Sequence, residues 1–143
     1  MKHLSKADEA KIVQVVREAE GLTSGEIRVH VESVCEEDEV LDRAAWVFKE
    51  LHMEQTALRN GVLIYVALKS RRFAVIGDVG VNCLVPDGFW DSVRDAMLPL
   101  LARGRAADGI VEAVGRVGRF LQEHFPHRDD DVNELPDAIS VGR

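Results

Sequence analysis

Val62-Leu63-Ile64-Tyr65-Val66-Ala67-Leu68, then Lys69-Ser70-Arg71-Arg72, then Phe73-Ala74-Val75-Ile76: this stretch decides the fold. Successive side chains of a strand point to opposite faces, and residues 62–68 are apolar on both. Such a strand belongs at the centre of a sheet with helices on each side. The polar link at 69–72 is too short for a crossover, so residues 73–76 return antiparallel. The run is also far too short to span a bilayer, which takes about 20 residues.

Upstream, residues 26–33 alternate, with Ile27, Val29 and Val31 on one side and Arg28, His30 and Glu32 on the other. That is a strand with one apolar face. Between it and the central strand come Val40, Leu41, Ala44, Ala45, Val47, Phe48 and Leu51 at helical spacing. A full helix linking two strands makes them parallel, with a right-handed crossover. The acidic run at 36–39 is expected in that helix's first turn, where carboxylates favour the helix dipole. Ser5 is the N-cap of an earlier helix, whose apolar face carries Ile12, Val13, Val15, Val16 and Ala19. Downstream, Gly77-Asp78-Val79-Gly80 leaves the sheet, and Pro86-Asp87 starts a helix bearing Phe89, Trp90, Val93, Met97, Leu100 and Leu101. Pro99 predicts a kink or break within it. Residues 106–124 form the last helix, and Trp46 and Trp90 are expected in the core. The class is α/β: one domain over residues 1–125, then an acidic, irregular C-terminal tail over 126–143.

The bulk properties exclude several functions. The chain has 143 residues and a net charge of −7, which disfavours binding to nucleic acid. Cys35 and Cys83 have neither metal-knuckle nor redox-pair spacing and are expected as free thiols, not bonded to each other. The N-terminal residues lack an apolar signal region, so the expectation is a cytoplasmic protein without membrane insertion. Its partner is an unknown protein or small ligand, and its state a monomer or weak homo-oligomer.

Three segments in order resemble the TPM domain family, the thylakoid acid phosphatase-like, photosystem-repair and receptor-modulator domains. They are Ser24-Gly25-Glu26-Ile27-Arg28-Val29, Arg59-Asn60-Gly61-Val62-Leu63-Ile64, and Arg72-Phe73-Ala74-Val75-Ile76-Gly77-Asp78-Val79-Gly80. The resemblance covers about residues 4–125. It implies an α/β/α sandwich around a small mixed central sheet, with acid phosphatase activity and calcium or magnesium binding among the roles of members. This sequence departs from the longer members: Ala57, Leu58 and Arg59 stand where acidic residues often precede the Asn-Gly turn. Asp78-Val79 replaces the usual aromatic of the Gly-x-Gly exit.

The candidate metal ligands are Asp78, Asn60 and Asp38, oxygen donors suited to calcium or magnesium rather than zinc. Asp38 follows the first strand, whereas Asp78 and Asn60 belong at the opposite end of the sheet, so the three need not form one site. The competing reading is that Asp78 and Asn60 cap turns through their own backbone. Asp129, Asp131 and Asn133 have the spacing of a calcium loop, but Glu134 and Ser140 occupy positions that need Gly and Glu. Residues 77–80 lack the Lys-Ser/Thr of a phosphate loop, and nothing in the sequence orients Cys83 and His30 as nucleophile and base. Two functions remain. One is a binding or regulatory module using its loops and the polar face of the first strand. The alternative is a divalent-metal-dependent acid phosphatase.

Overall fold

A computed structural model describes residues 4–127 and 139–141. The element order is α1 (Lys6–Glu20), β1 (Glu26–Glu32), α2 (Val40–Glu50), β2 (Gly61–Ala67), β3 (Arg72–Gly77), α3 (Val79–Asn82), α4 (Phe89–Ala102), α5 (Ala106–His124) and β4 (Ser140–Val141). The sheet runs β3-β2-β1-β4. β1 and β2 are parallel, with Ile27 opposite Val62, and β2 and β3 are antiparallel, with Leu63 opposite Ile76.

The two-faced strand organises the core. Every residue of β2 is buried. Val62, Ile64 and Val66 join Ile27, Val29 and Val31 under α1, α4 and α5, where Ile12, Met97, Ile110 and Val117 pack on them. Leu63, Tyr65 and Ala67 point the other way, onto Ala44 and Val47 of α2 and onto Met53. Burying a Val, Leu or Ile side chain contributes about 1.5–3 kcal/mol, so this strand alone anchors both layers. The result is the expected α/β/α sandwich.

Ser5 caps α1 in a reciprocal capping box with Asp8. Several local expectations are corrected. The acidic run precedes α2 rather than filling its first turn: Glu39 is the N-cap and makes no side-chain cap bond. Instead Arg72 draws the run onto the sheet by donating to the carbonyls of Glu37 and Asp38. Helix α4 begins at Phe89 after Gly88, whose φ of 80° suits glycine, and it passes Pro99 to end at Ala102. Trp46 is 53% exposed, with the Arg43 guanidinium 4.6 Å above its ring, so it is not core. Trp90 does pack on the core, edge-on to Phe89. Ser140 and Val141, in the stretch read as irregular, pair parallel with His30 and Val31. Asp129, Asp131 and Asn133 lie outside the described residues. Among the described residues no helix is long and apolar enough to cross a membrane.

Candidate functional site

Asp78 and Asn60 come together at the amino end of β2. The Asp78 amide donates to the Gly61 carbonyl at 2.9 Å, and the Gly80 amide to the Arg59 carbonyl at 2.9 Å. Glycine is obligatory at position 80 because a Cβ there would lie 2.2 Å from the Leu58 carbonyl oxygen. The close approach fastens the 54–60 loop onto α3. Asp78 is buried, caps α3 through the Val79 amide at 2.7 Å, and receives Arg59 through two bonds of 2.6 and 2.8 Å. The planar fork of Arg59 thus matches both carboxylate oxygens. Arg59 itself has φ 51°, and its side chain is 46% exposed.

The same loop holds three buried side-chain atoms without a hydrogen-bond partner: Glu54 Oε2, Thr56 Oγ1 and Asn60 Nδ2. Buried polar atoms are nearly always satisfied, so such a concentration marks a place where a further polar partner belongs. Two of the three are oxygens, and turning the Asn60 amide would present a third. This donor chemistry fits a hard cation. Against that, Asp78 is already neutralised by Arg59, and among the described residues no group of three or more His, Cys, Asp or Glu is disposed to hold a metal ion. Asp38 is remote from this loop. It is exposed beyond the carboxyl end of β1, where Arg72 holds its carbonyl at 2.6 Å.

The polar face of β1 is not an open binding face, contrary to expectation. His30 and Glu32 are buried, and their network is the part that sequence reasoning missed. Glu32 accepts Arg43 Nε at 2.8 Å and Nη2 at 2.7 Å, and also the Tyr65 hydroxyl. His30 Nε2 lies 3.3 Å from Glu32, its Nδ1 lies 2.8 Å from the Ser140 hydroxyl, and its ring stacks on Tyr65. Burial alone would raise the Glu32 carboxyl, but the bonds from Arg43, Tyr65 and His30 outweigh it and hold the group down to about 2. Burial lowers His30 from its ordinary value despite the opposing pull of Glu32, which keeps the imidazole neutral. Burial and Glu32 together push the Tyr65 hydroxyl well up. The signal available in the sequence was the one hydroxyl-bearing aromatic in an otherwise aliphatic strand, facing the same side as Glu32.

Cys83 and His30 do not meet. Cys83 caps α3 at the amino end of β2, while His30 pairs with Tyr65, four residues along the strand from Gly61 and so roughly 13 Å farther on. Both cysteines are free, Cys35 buried and Cys83 exposed.

The model of the TPM domain matches residues 1–120. Among solved structures, the chain is similar to the BA42 protein of the psychrophilic bacterium Bizionia argentinensis. The two share 45% identity and a TM-score of 0.89, over 97% of this chain and 95% of that one. The N-terminal domain of the cg2496 protein of Corynebacterium glutamicum matches with a TM-score of 0.65 at 13% identity, over 99% of this chain and 81% of that one. A P. gingivalis protein's N-terminal domain matches at 0.67 and 23%, over 87% and 82%. These last two show likeness of fold alone. No curated protein matches. With the strand order, the Asn-Gly entry and the Gly-x-x-Gly exit all in place, the chain belongs to the TPM domain family.

Proposed function

We propose that this TPM domain is a non-catalytic binding module whose 54–60 loop and Asp78 respond to calcium or magnesium. The observation that carries the reading is the trio of buried, unpartnered atoms in that loop, at Glu54, Thr56 and Asn60. Glu54 and Asp78 would supply charge, and Thr56 and Asn60 neutral oxygens, in keeping with the mixed oxygen sets of hard cations. Arg59 holds Asp78 in the cation-free arrangement. Its exposure and left-handed backbone suit a residue that gives way. Because the cation competes with an intramolecular guanidinium, the affinity should be modest.

A divalent-metal phosphomonoesterase would use the same end of the sheet. It would also need a nucleophile or an activated water. Asp78, the acid best placed for such work, is committed to Arg59 and the Val79 amide, and this favours binding over hydrolysis.

The test is a titration of the full chain with calcium and with magnesium, followed by amide NMR and calorimetry. The expected result is saturable shifts at residues 54–60 and 78–82, weakened tenfold or more by Glu54→Gln or Asp78→Asn. Shifts confined to the acidic residues after 127, or no binding at 10 mM (about tenfold above the weak limit of known calcium modules), would remove the cation site.

A further inference from the structure

At the opposite end of β2, the β2–β3 hairpin and the α4–α5 turn enclose a cleft of about 200 Å³. Val66, Leu68 and Ala106 form its buried floor, Phe73, Leu98 and Leu101 its walls, and Arg71 and Arg72 stand at the rim. Leu98 is 55% exposed although it is apolar. The cleft lies beyond the carboxyl end of a parallel strand, where open α/β sheets collect their ligands.

The two arginines differ. Arg72 spends its donors on the Glu37 and Asp38 carbonyls and lies 3.6 Å from the Cys35 sulphur. Arg71 is exposed, and although its amide donates to the Leu68 carbonyl at 3.3 Å, its guanidinium has no hydrogen bond or ion pair among the described residues. It is also held at φ 55°, a backbone conformation that a residue with a side chain adopts only at a cost. Such outliers are a recognised pointer to function.

We propose that this cleft binds a small amphipathic monoanion, an alkyl or aryl carboxylate. Its apolar body would lie among Val66, Phe73, Leu98 and Leu101, and its carboxylate on Arg71. One uncommitted guanidinium neutralises one negative charge, and its planar fork matches the two oxygens of a carboxylate. A cavity of about 150 Å³ accommodates benzene, so this one takes about eight non-hydrogen atoms. The apolar lining leaves little to satisfy a more polar body. The site is independent of the cation loop, which lies at the other end of β2.

Sodium octanoate titrated into the full chain, read by amide NMR, tests the proposal. Octanol and octyl phosphate serve as the two comparison ligands. Octanoate is expected to shift residues 68–73 and 98–106 with a Kd of about 1 mM or tighter. Arg71→Gly should weaken it by about tenfold to a hundredfold, the range for a lost charge-assisted pair. Glycine relieves the left-handed backbone, so that variant should melt no lower than the wild type, which separates lost binding from lost folding. A second variant, Leu98→Glu, puts a like charge at the mouth and should abolish binding. Four results overturn the proposal: no shifts at 10 mM octanoate, shifts confined to other residues, octanol binding as well as octanoate, or unchanged affinity in Arg71→Gly. Tighter binding of octyl phosphate overturns the monocarboxylate.

Discussion

Replacing Glu32 with Gln removes the charge from the most buried ionic group among the described residues. The Glu32 side chain is 0% exposed and accepts Arg43 twice, the Tyr65 hydroxyl, and His30 at 3.3 Å. Its carboxyl sits at about 2 in the folded protein against an ordinary 4.5. Each pH unit of difference corresponds to about 1.4 kcal/mol, so the network contributes about 3 kcal/mol while Glu32 is ionised. Since the folded value is the lower one, this stability is fully present above pH 4.5. It drains as the pH falls from there towards 2. Glu32→Gln lacks the titration, and breaking one partner of a buried pair costs about 3–5 kcal/mol in its own right. Urea unfolding of both proteins at pH 7, 5, 3.5 and 2.5 measures the difference directly. His30 is coupled to Glu32, so the same pair is also compared in a His30→Asn background, which leaves Glu32 as the group that differs. Wild type should exceed the variant by about 3–5 kcal/mol at pH 7, and the gap should narrow by about 2–3 kcal/mol by pH 2.5. A gap constant to within about 0.5 kcal/mol over that range would refute the reasoning, because it would mean that Glu32 titrates alike in the folded and unfolded chains.

Gly80→Ala should destabilise the protein by about 3 kcal/mol or more, because the new methyl would meet backbone oxygens at 2.2 and 2.6 Å that cannot turn away. Gly104→Ala, where nothing lies within 4 Å but φ is 74°, should cost only about 1–2 kcal/mol, and thermal melts of the pair check the contrast. For the thiols, alkylation of the native protein without reductant should label Cys83 at once and Cys35 only on unfolding. Intact mass shows both outcomes, and a species unlabelled even after unfolding would contradict two free cysteines.

Much of the fold was legible in the sequence because it rests on local periodicity. The two-faced run at 62–68, the short polar link after it and the helix before it determined a parallel pair plus an antiparallel return, and the register bears this out. The span of α5 and the Ser5 cap were equally local. Tertiary structure decided what depends on partners distant in the chain. Asp78 and Asn60 were legible as loop residues, but the hold of Arg59 on Asp78 joins residues 19 apart in the chain, and no periodicity encodes it. Arg28, His30 and Glu32 read by alternation alone as the polar face of the first strand. It is Arg43 from α2, Tyr65 from β2 and Ser140 from β4 that turn His30 and Glu32 into a buried network. Arg71 likewise read only as part of the short polar link at 69–72. Only the packing of the α4–α5 turn against β2 and β3 sets an apolar cleft beside it. A strand's alternation states which side chains share a face, whereas burial of that face depends on which elements arrive to cover it.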